Sequence, residues 1–308
     1  MKTTNISIII PTYRRNKKMI QRAIESILNQ TYKNYEILII DDNNKNDEYY
    51  NETKKCEEEY MKFDNIKFLY HEENKGANGA RNTGIENSKY KILAFLDSDD
   101  EWEEEYLEIM IDRLENSGAG LCYSGYYIIN PKNVEKVNCN GPEGNIFEKE
   151  IILDRISPTS CVIIRKECTE KTGKFDNELP ARQDFDMWVR ITKEYKVATV
   201  NKPLVKVYRN GHESISSNYK KRLYGTERVY QKILESLSDN QKKEYEEKIN
   251  WGKNKTLAEL FIQNRMYQEA TKYIKETLKY GMDFKLFLKL IVIKMGFYDY
   301  LVKLKNTK

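Results

Sequence analysis

Residues 6–15 read Ile-Ser-Ile-Ile-Ile-Pro-Thr-Tyr-Arg-Arg. A β-branched run that stops at a proline is a buried strand, since short continuous apolar runs suit a sheet covered on both faces. The elements after this strand decide the class of fold. Ile20, Ala23, Ile24, Ile27 and Leu28 recur at helical spacing and predict a helix with one apolar side. Residues 35–40 (Tyr-Glu-Ile-Leu-Ile-Ile) repeat the strand signal and end at Asp41-Asp42. A charged helix is expected over 46–62, a third strand over 66–70, and a short helix after a glycine-containing turn. A fourth strand over 92–96 ends at Asp97-Ser98-Asp99-Asp100, and Tyr106, Leu107, Met110, Ile111 and Leu114 mark the next helix. Strands alternating with helices predict an α/β fold with a parallel sheet. Ligands of such sheets bind beyond the carboxyl ends of the strands. Here those ends carry Pro11-Thr12-Tyr13, Asp41-Asp42 and the Asp97–Asp100 cluster.

Further on, the alternation weakens. Strand signals appear at 121–129, 160–164, 197–200 and 204–208, with a helix over 184–195 that has Met187, Trp188, Ile191 and Tyr195 on one side. Beyond about residue 215 the texture becomes helical, rich in Lys, Glu and Tyr. The expected organisation is an α/β domain over 1–215 and a helical C-terminal region over 216–308. A chain of 308 residues accommodates such a pair.

Composition narrows the function. Hydrophobic residues are 40% and charged residues 32%, which supports a folded core. Lys plus Arg number 52 and Asp plus Glu 48, a net +4. That balance argues against nucleic acid as a partner. Two histidines and five cysteines without a Cys-x-x-Cys pair speak against a zinc site or a disulfide framework. No secretory signal or membrane span is legible, so a cytoplasmic location is expected.

Two segments hold opposite charge. Residues 97–105 contain seven acids and no base. Asp97 and Asp99 at a strand end can share one hard divalent cation, Mg²⁺ or Mn²⁺, with a diphosphate. Acids opposing a helix dipole account for Glu103 to Glu105, but not for the acids at the strand end. Residues 281–308 carry six lysines against Asp283 and Asp299, interleaved with Phe284, Leu286, Phe287, Leu288, Leu290, Ile291 and Phe297. A basic amphipathic helix either lies on an anionic membrane or packs on its own protein with lysines in solvent.

These segments, in this order, resemble the family 2 glycosyltransferases, inverting enzymes of the GT-A (nucleotide-diphospho-sugar transferase, Rossmann-like) fold. The resemblance spans residues 5–210. It rests on Ser7-Ile-Ile-Ile-Pro-Thr-Tyr-Arg14, Ile24-Glu-Ser-Ile-Leu-Asn-Gln-Thr-Tyr32, Tyr35-Glu-Ile-Leu-Ile-Ile-Asp-Asp42, Asn74-Lys-Gly76 with Ala80-Arg-Asn-Thr-Gly-Ile85, Ala94-Phe-Leu-Asp-Ser-Asp-Asp-Glu-Trp102 and Gln183-Asp-Phe-Asp-Met-Trp-Val-Arg190. It implies a hexosyltransferase that uses Mn²⁺ or Mg²⁺ and moves a sugar from a nucleotide-sugar, UDP-linked by preference, to a glycan or lipid-linked sugar acceptor in surface-polysaccharide synthesis. Pro11, Tyr13, Asp42, Asn74, Arg81 and Asp97 then correspond to nucleotide-sugar contacts. Asp42 would accept from the nucleobase imide N–H. Asp99, with Asp97 and with His212 as a further candidate, would hold the metal. Asp184 would be the catalytic base that takes the acceptor's hydroxyl proton. Gln183 departs from the pattern, where many relatives carry Glu. Asp100 is expected to cap the following helix and His71 to be structural.

Two other function classes compete. A sugar-nucleotide pyrophosphorylase would call for a glycine-rich phosphate loop after the first strand, and residues 11–18 contain no glycine. A non-catalytic nucleotide-sugar-binding scaffold would be expected to have lost the acids, yet Asp42, Asp97, Asp99 and Asp184 are all present.

Overall fold

Strands β1 (Ile6–Thr12), β2 (Tyr35–Asp41), β3 (Ile66–Tyr70) and β4 (Ile92–Phe95) alternate with helices α1 (Lys17–Leu28), α2 (Glu48–Tyr60) and α3 (Gly76–Asn87). The structure is a computed structural model describing residues 4–139, 141–156, 158–209 and 218–299. Every residue of β1 and β2 is buried, as expected of central strands covered on both faces. The four strands pair in parallel in the order β3-β2-β1-β4. Asn16 starts α1 by accepting from the Met19 amide, which satisfies one of the donors orphaned at a helix start. Ile20, Ala23, Ile24 and Ile27 turn its apolar side inward.

Past β4 come β5 (Glu101–Trp102), α4 (Tyr106–Ser117), β6 (Leu121–Ile129), β7 (Val134–Val137) and α5 (Phe147–Glu150). A 3₁₀ turn (Thr159–Cys161), β8 (Val162–Arg165), α6 (Lys166–Thr172), α7 (Gln183–Glu194) and β9 (Val197–Tyr208) complete the set. β8 pairs antiparallel with β4 and β6, so the sheet is mixed, not wholly parallel. It continues β4-β8-β6-β9-β5, with β7 on β6. The two short strands expected over 197–208 are one twelve-residue strand, β9. Its register against β6 shifts at Gly125, opposite Pro203. A proline cannot donate to a ladder, and the irregularity absorbs it.

The chain divides into two compact units. The first comprises Met1–Phe147, Arg155–Glu178 and Gln183–His212; the second comprises Glu148–Asp154, Leu179–Arg182 and Glu213–Lys308. Two short segments from within 1–215 therefore count with the helices.

The second unit holds α8 (Tyr219–Ser236), α9 (Asp239–Gln263), α10 (Tyr267–Lys279) and α11 (Phe284–Lys294). Ser238 and Gln241 form a reciprocal capping box at the start of α9. Leu257, Phe261, Ala270, Ile274, Leu286 and Leu290 form its core. Gly225 and Gly252 let α8 and α9 approach the carbonyls of Ala181 and Ile152, where a Cβ would collide. That close approach draws the two short segments into the helical unit. Among the described residues, no helix is long and apolar enough to cross a membrane.

Candidate active site

The carboxyl ends of β1, β2 and β4 lie side by side because the strands are neighbours in register. Thr12 faces Asp41 across β1 and β2. Pro11 and Thr12 are buried, whereas Tyr13, just past the strand, is 42% exposed. Arg14 takes a left-handed turn at φ 50°, and its amide donates to Asn43 Oδ1 at 2.8 Å. The Asp42 amide donates to the Thr12 carbonyl at 2.9 Å. These bonds staple the ends of β1 and β2 together.

Asp42 is buried at 2% exposure, and hydrogen-bond donors surround its carboxylate. Oδ1 accepts from the Lys75 amide at 2.8 Å and lies 2.7 Å from His71 Nδ1. Oδ2 accepts from Asn74 Nδ2 at 2.9 Å. His71 Nε2 in turn lies 2.8 Å from Thr83 Oγ1. The imidazole thus bridges the Asp42 carboxylate and the Thr83 hydroxyl through its two ring nitrogens. His71 is thus the link from β3 through β2 to α3. The lone histidine gave no sign of this in sequence, because its partners are 29 and 12 residues away.

The end of β4 is neutralised differently. Arg81 on α3 is 8% exposed and donates to Asp97 Oδ1 at 2.6 Å. Arg15 donates to Asp99 Oδ2 at 2.8 Å. Arg22 on α1 donates to the Asp99 carbonyl, and its guanidinium lies 3.6 Å over the Tyr208 ring. Burial, with the charge of Asp97 adding, pushes the Asp99 carboxyl up despite Arg15. Asp100 does not cap the following helix. It is buried, accepts from Ser160 Oγ at 2.6 Å and lies 3.4 Å from the Tyr208 amide. The sequence put a helix N-terminus here, but Glu101 and Trp102 first pair with β9, and this turns Asp100 inward. Burial and the charges of Asp97 and Asp99 raise its carboxyl well above the usual range.

Asp184 lies in the first turn of α7, half-buried, and accepts from the Phe185 amide at 2.9 Å. Among the described residues it pairs with no cation. Its neighbour Gln183 is buried. One turn on, Trp188 packs edge-on against Phe175 at 6.2 Å, and the Arg81 guanidinium lies 5.5 Å over the same Phe175 ring. Asn82 clamps Phe175 twice: Nδ2 donates to its carbonyl at 2.8 Å and Oδ1 accepts from its amide at 3.0 Å. Phe175 therefore joins the Arg81–Asp97 pair to the helix that bears Asp184. Periodicity could not find it, because it sits in a loop.

A close approach sets the height of α3. A Cβ on Gly84 would collide with Ile9 Cγ2 and come within 3.1 Å of Ile40 Cδ1, so the helix rests directly on β1 and β2. The structure thus brings Asp42 to Asn74 and Arg81 to Asp97, and adds His71, Arg15, Arg22 and Phe175. His212 lies outside the described residues.

Among the described residues, no three His, Cys, Asp or Glu side chains are grouped to hold a metal ion. Asp97 and Asp99 nonetheless fit a hard cation that takes its remaining ligands from a diphosphate and water. Each engages an arginine through one carboxylate oxygen, and each is partly exposed, 35% and 27% by side chain.

Comparisons with known proteins address the family and the fold. The chain is 31% identical over 232 residues to the UDP-Glc:alpha-D-GlcNAc-diphosphoundecaprenol beta-1,3-glucosyltransferase WfgD of Escherichia coli, covering 71% of this chain and 82% of that protein. It is 33% identical over 211 residues to an uncharacterized glycosyltransferase of Rickettsia conorii, covering 68% of this chain. There it spans only 33% of the relative's length. Among solved structures, S. aureus TarS 1–349 in complex with UDP-GlcNAc superposes with a TM-score of 0.66 at 17% identity, over 89% of this chain and 82% of that one. The mannosyltransferase PcManGT from Pyrobaculum calidifontis, in complex with GDP-Man and Mn²⁺, gives 0.62 at 14% identity, over 97% and 83%. These two likenesses establish the GT-A-type fold. The model of Glycosyl transferase family 2 matches residues 7–172, more than half of the chain. With that match over the strands that carry the acidic edge, the chain belongs to glycosyl transferase family 2.

Proposed function

We propose that this protein transfers a sugar from a nucleotide-sugar to a glycan acceptor with inversion, in a metal-dependent reaction of cell-surface polysaccharide synthesis. One observation carries the reading. Among the carboxylates named for the site, Asp42 is met by a backbone amide, a carboxamide and an imidazole, Asp97 and Asp99 are met by arginines, and Asp184 is met by no cation among the described residues. An unneutralised, half-exposed carboxylate at a helix start is suited to take a proton.

Asp184 removes the acceptor hydroxyl proton as that oxygen attacks the anomeric carbon, and no covalent intermediate is needed. Asp99 and Asp97 hold the divalent cation, with His212 as a further candidate. When bound, such a cation offsets the charge of the departing diphosphate. Pro11, Tyr13 and Asn74 line the nucleobase end. Asp42 stands at that end as the acceptor for a base N–H. Uracil and guanine both carry ring N–H donors. The UDP preference draws on the relatives named for UDP-Glc and crystallised with UDP-GlcNAc; the GDP-Man complex of PcManGT supplies the rival donor.

We place the C-terminal helix α11 at a membrane surface. α11 buries Leu286 and Leu290 and leaves Phe284 67%, Leu288 46% and Ile291 38% exposed beside Lys285, Lys289 and Lys294. Residues 300–308 of the basic tail lie outside the described residues. Flotation with anionic liposomes should fail when 284–308 is deleted, and unchanged flotation would remove the membrane from the proposal. The central test is Asp184→Asn. It should bind UDP with Mn²⁺ within about twofold of the parent and lose about a thousandfold in transfer, within the range of general-base catalysis. Full turnover would end the assignment of Asp184 as base.

A further inference from the structure

The acids at the end of β4 and the arginines around them form a balanced set. Asp97, Asp99 and Asp100 supply three carboxyl groups; Arg15, Arg22 and Arg81 supply three guanidinium groups. Arg15 is paired with Asp99 Oδ2 and Arg81 with Asp97 Oδ1, while Arg22 meets the Asp99 carbonyl. The arginines are not used up by these contacts. The Nε–H groups of Arg15, Arg22 and Arg81 are all buried without a hydrogen-bond partner, and Arg81 keeps only 9% of its side chain exposed. A buried unpaired donor on a cation is costly, so each of these arginines keeps hydrogen-bonding capacity that its present contacts do not use.

The charges explain why that acceptor and a metal would arrive together. A divalent cation alone reaches two carboxylates already paired with Arg15 and Arg81, and meets three positive groups. A diphosphate alone reaches the arginines and meets the two partly exposed carboxylates of Asp97 and Asp99. Bound together, each finds its opposite: carboxylates turn to the cation and guanidinium forks to the phosphate oxygens, the geometry at which arginine excels.

We propose that Arg15 and Arg22, with Arg81, form the cradle for the donor's diphosphate. In the free protein Arg15 serves as the stand-in cation of Asp99, and it hands that carboxylate to the metal when the diphosphate binds. Arg15 is then a binding residue with a second effect, since it holds metal affinity low until the nucleotide is present. This rests on the nucleotide-sugar reading above. It adds residues from the loop after β1 and from α1 that the sequence did not single out.

The test titrates Mn²⁺ alone into the full chain and counts free Mn²⁺ by electron paramagnetic resonance. Arg15→Gln should bind Mn²⁺ alone about three- to tenfold more tightly than the parent. Arg15→Met, which keeps the stem and drops the charge, should show the same gain, so the result does not hang on one variant's folding. In a second arm, with Mn²⁺ saturating, UDP should bind Arg15→Gln about tenfold more weakly, because the fork onto the diphosphate is gone. These are opposite changes, of the size usual for coupled sites. Unchanged or weaker binding of Mn²⁺ alone in both variants overturns the handover, and so does unchanged UDP affinity. If the parent itself binds no nucleotide with Mn²⁺, the nucleotide-sugar reading fails instead, while the Mn²⁺-only arm still decides whether Arg15 occupies the metal carboxylate.

Discussion

Two strands of one sheet end in acids, and the protein treats them differently. At the end of β2, Asp42 is buried and receives an amide, a carboxamide and an imidazole. At the end of β4, Asp97 and Asp99 are partly exposed and receive guanidinium groups. Three hydrogen bonds hold the buried carboxylate in one place. Removing one leaves a desolvated group unpaired. Ion pairs that water can reach contribute only about 0–1 kcal/mol, so their partners can be exchanged. The first arrangement suits a fixed strut; the second suits a group that must change partners.

The predictions separate these two roles. The largest effect is expected at the β4 end. Asp99→Asn should lower metal-dependent kcat/KM by about a hundredfold or more, about 3 kcal/mol at roughly 1.4 kcal/mol per tenfold. Its Tm without metal should stay within about 3 °C, since a water-accessible pair is lost. A steady-state assay with a thermal melt checks both, and a large fall in Tm would erase the contrast. At the β2 end the order should reverse. Asp42→Ala should cost about 2–3 kcal/mol of stability in urea unfolding, because the buried His71 loses its partner. A loss below about 0.5 kcal/mol would show that Asp42 is no strut. Thr83→Val, which removes only the outer hydroxyl of the chain through His71, should cost about 1 kcal/mol. A fully neutral result would mean that His71 does not rely on Thr83.

The smallest effect concerns the cysteines, which lie in neither acidic end. All five are buried and free. Burial pushes the thiols of Cys56, Cys122 and Cys168 up to about 12. A thiol-specific disulfide reagent at about pH 8 should therefore modify less than about one group per native chain, because the thiolate is the reactive form. It should reach all five in denaturant. Rapid labelling of the native protein would contradict the close packing that positions both strand ends.

Much of this arrangement was legible in the sequence. The runs at 6–10, 35–40, 66–70 and 92–96 gave the parallel strands, because strands covered on both faces read as near-continuous apolar runs; the buried exceptions Ser7 and Glu36 bond each other at 2.7 Å. The spacing of Met187, Trp188 and Ile191 gave α7. The mixed character of the sheet was not legible, since β8 reads like any short apolar run and nothing local gives its direction. Nor was the inward turn of Asp100, which depends on two residues of β5 finding β9 more than a hundred positions away. The ordered motifs led to the family and to Asp42, Asp97, Asp99 and Asp184 as candidates. His71, Phe175 and Arg22 had no motif to announce them.

The amino-acid sequence alone determined which residues face the core and which acids stand at the strand ends. Side-chain period is a local property, set by the geometry of each helix and strand. Only the tertiary structure decided which acid meets which counter-group. Arg15 reaches Asp99 across 84 positions, and Asp42 meets His71 across 29. No local pattern encodes such pairs, because they arise when separate strands stack in register and bring their ends to one edge.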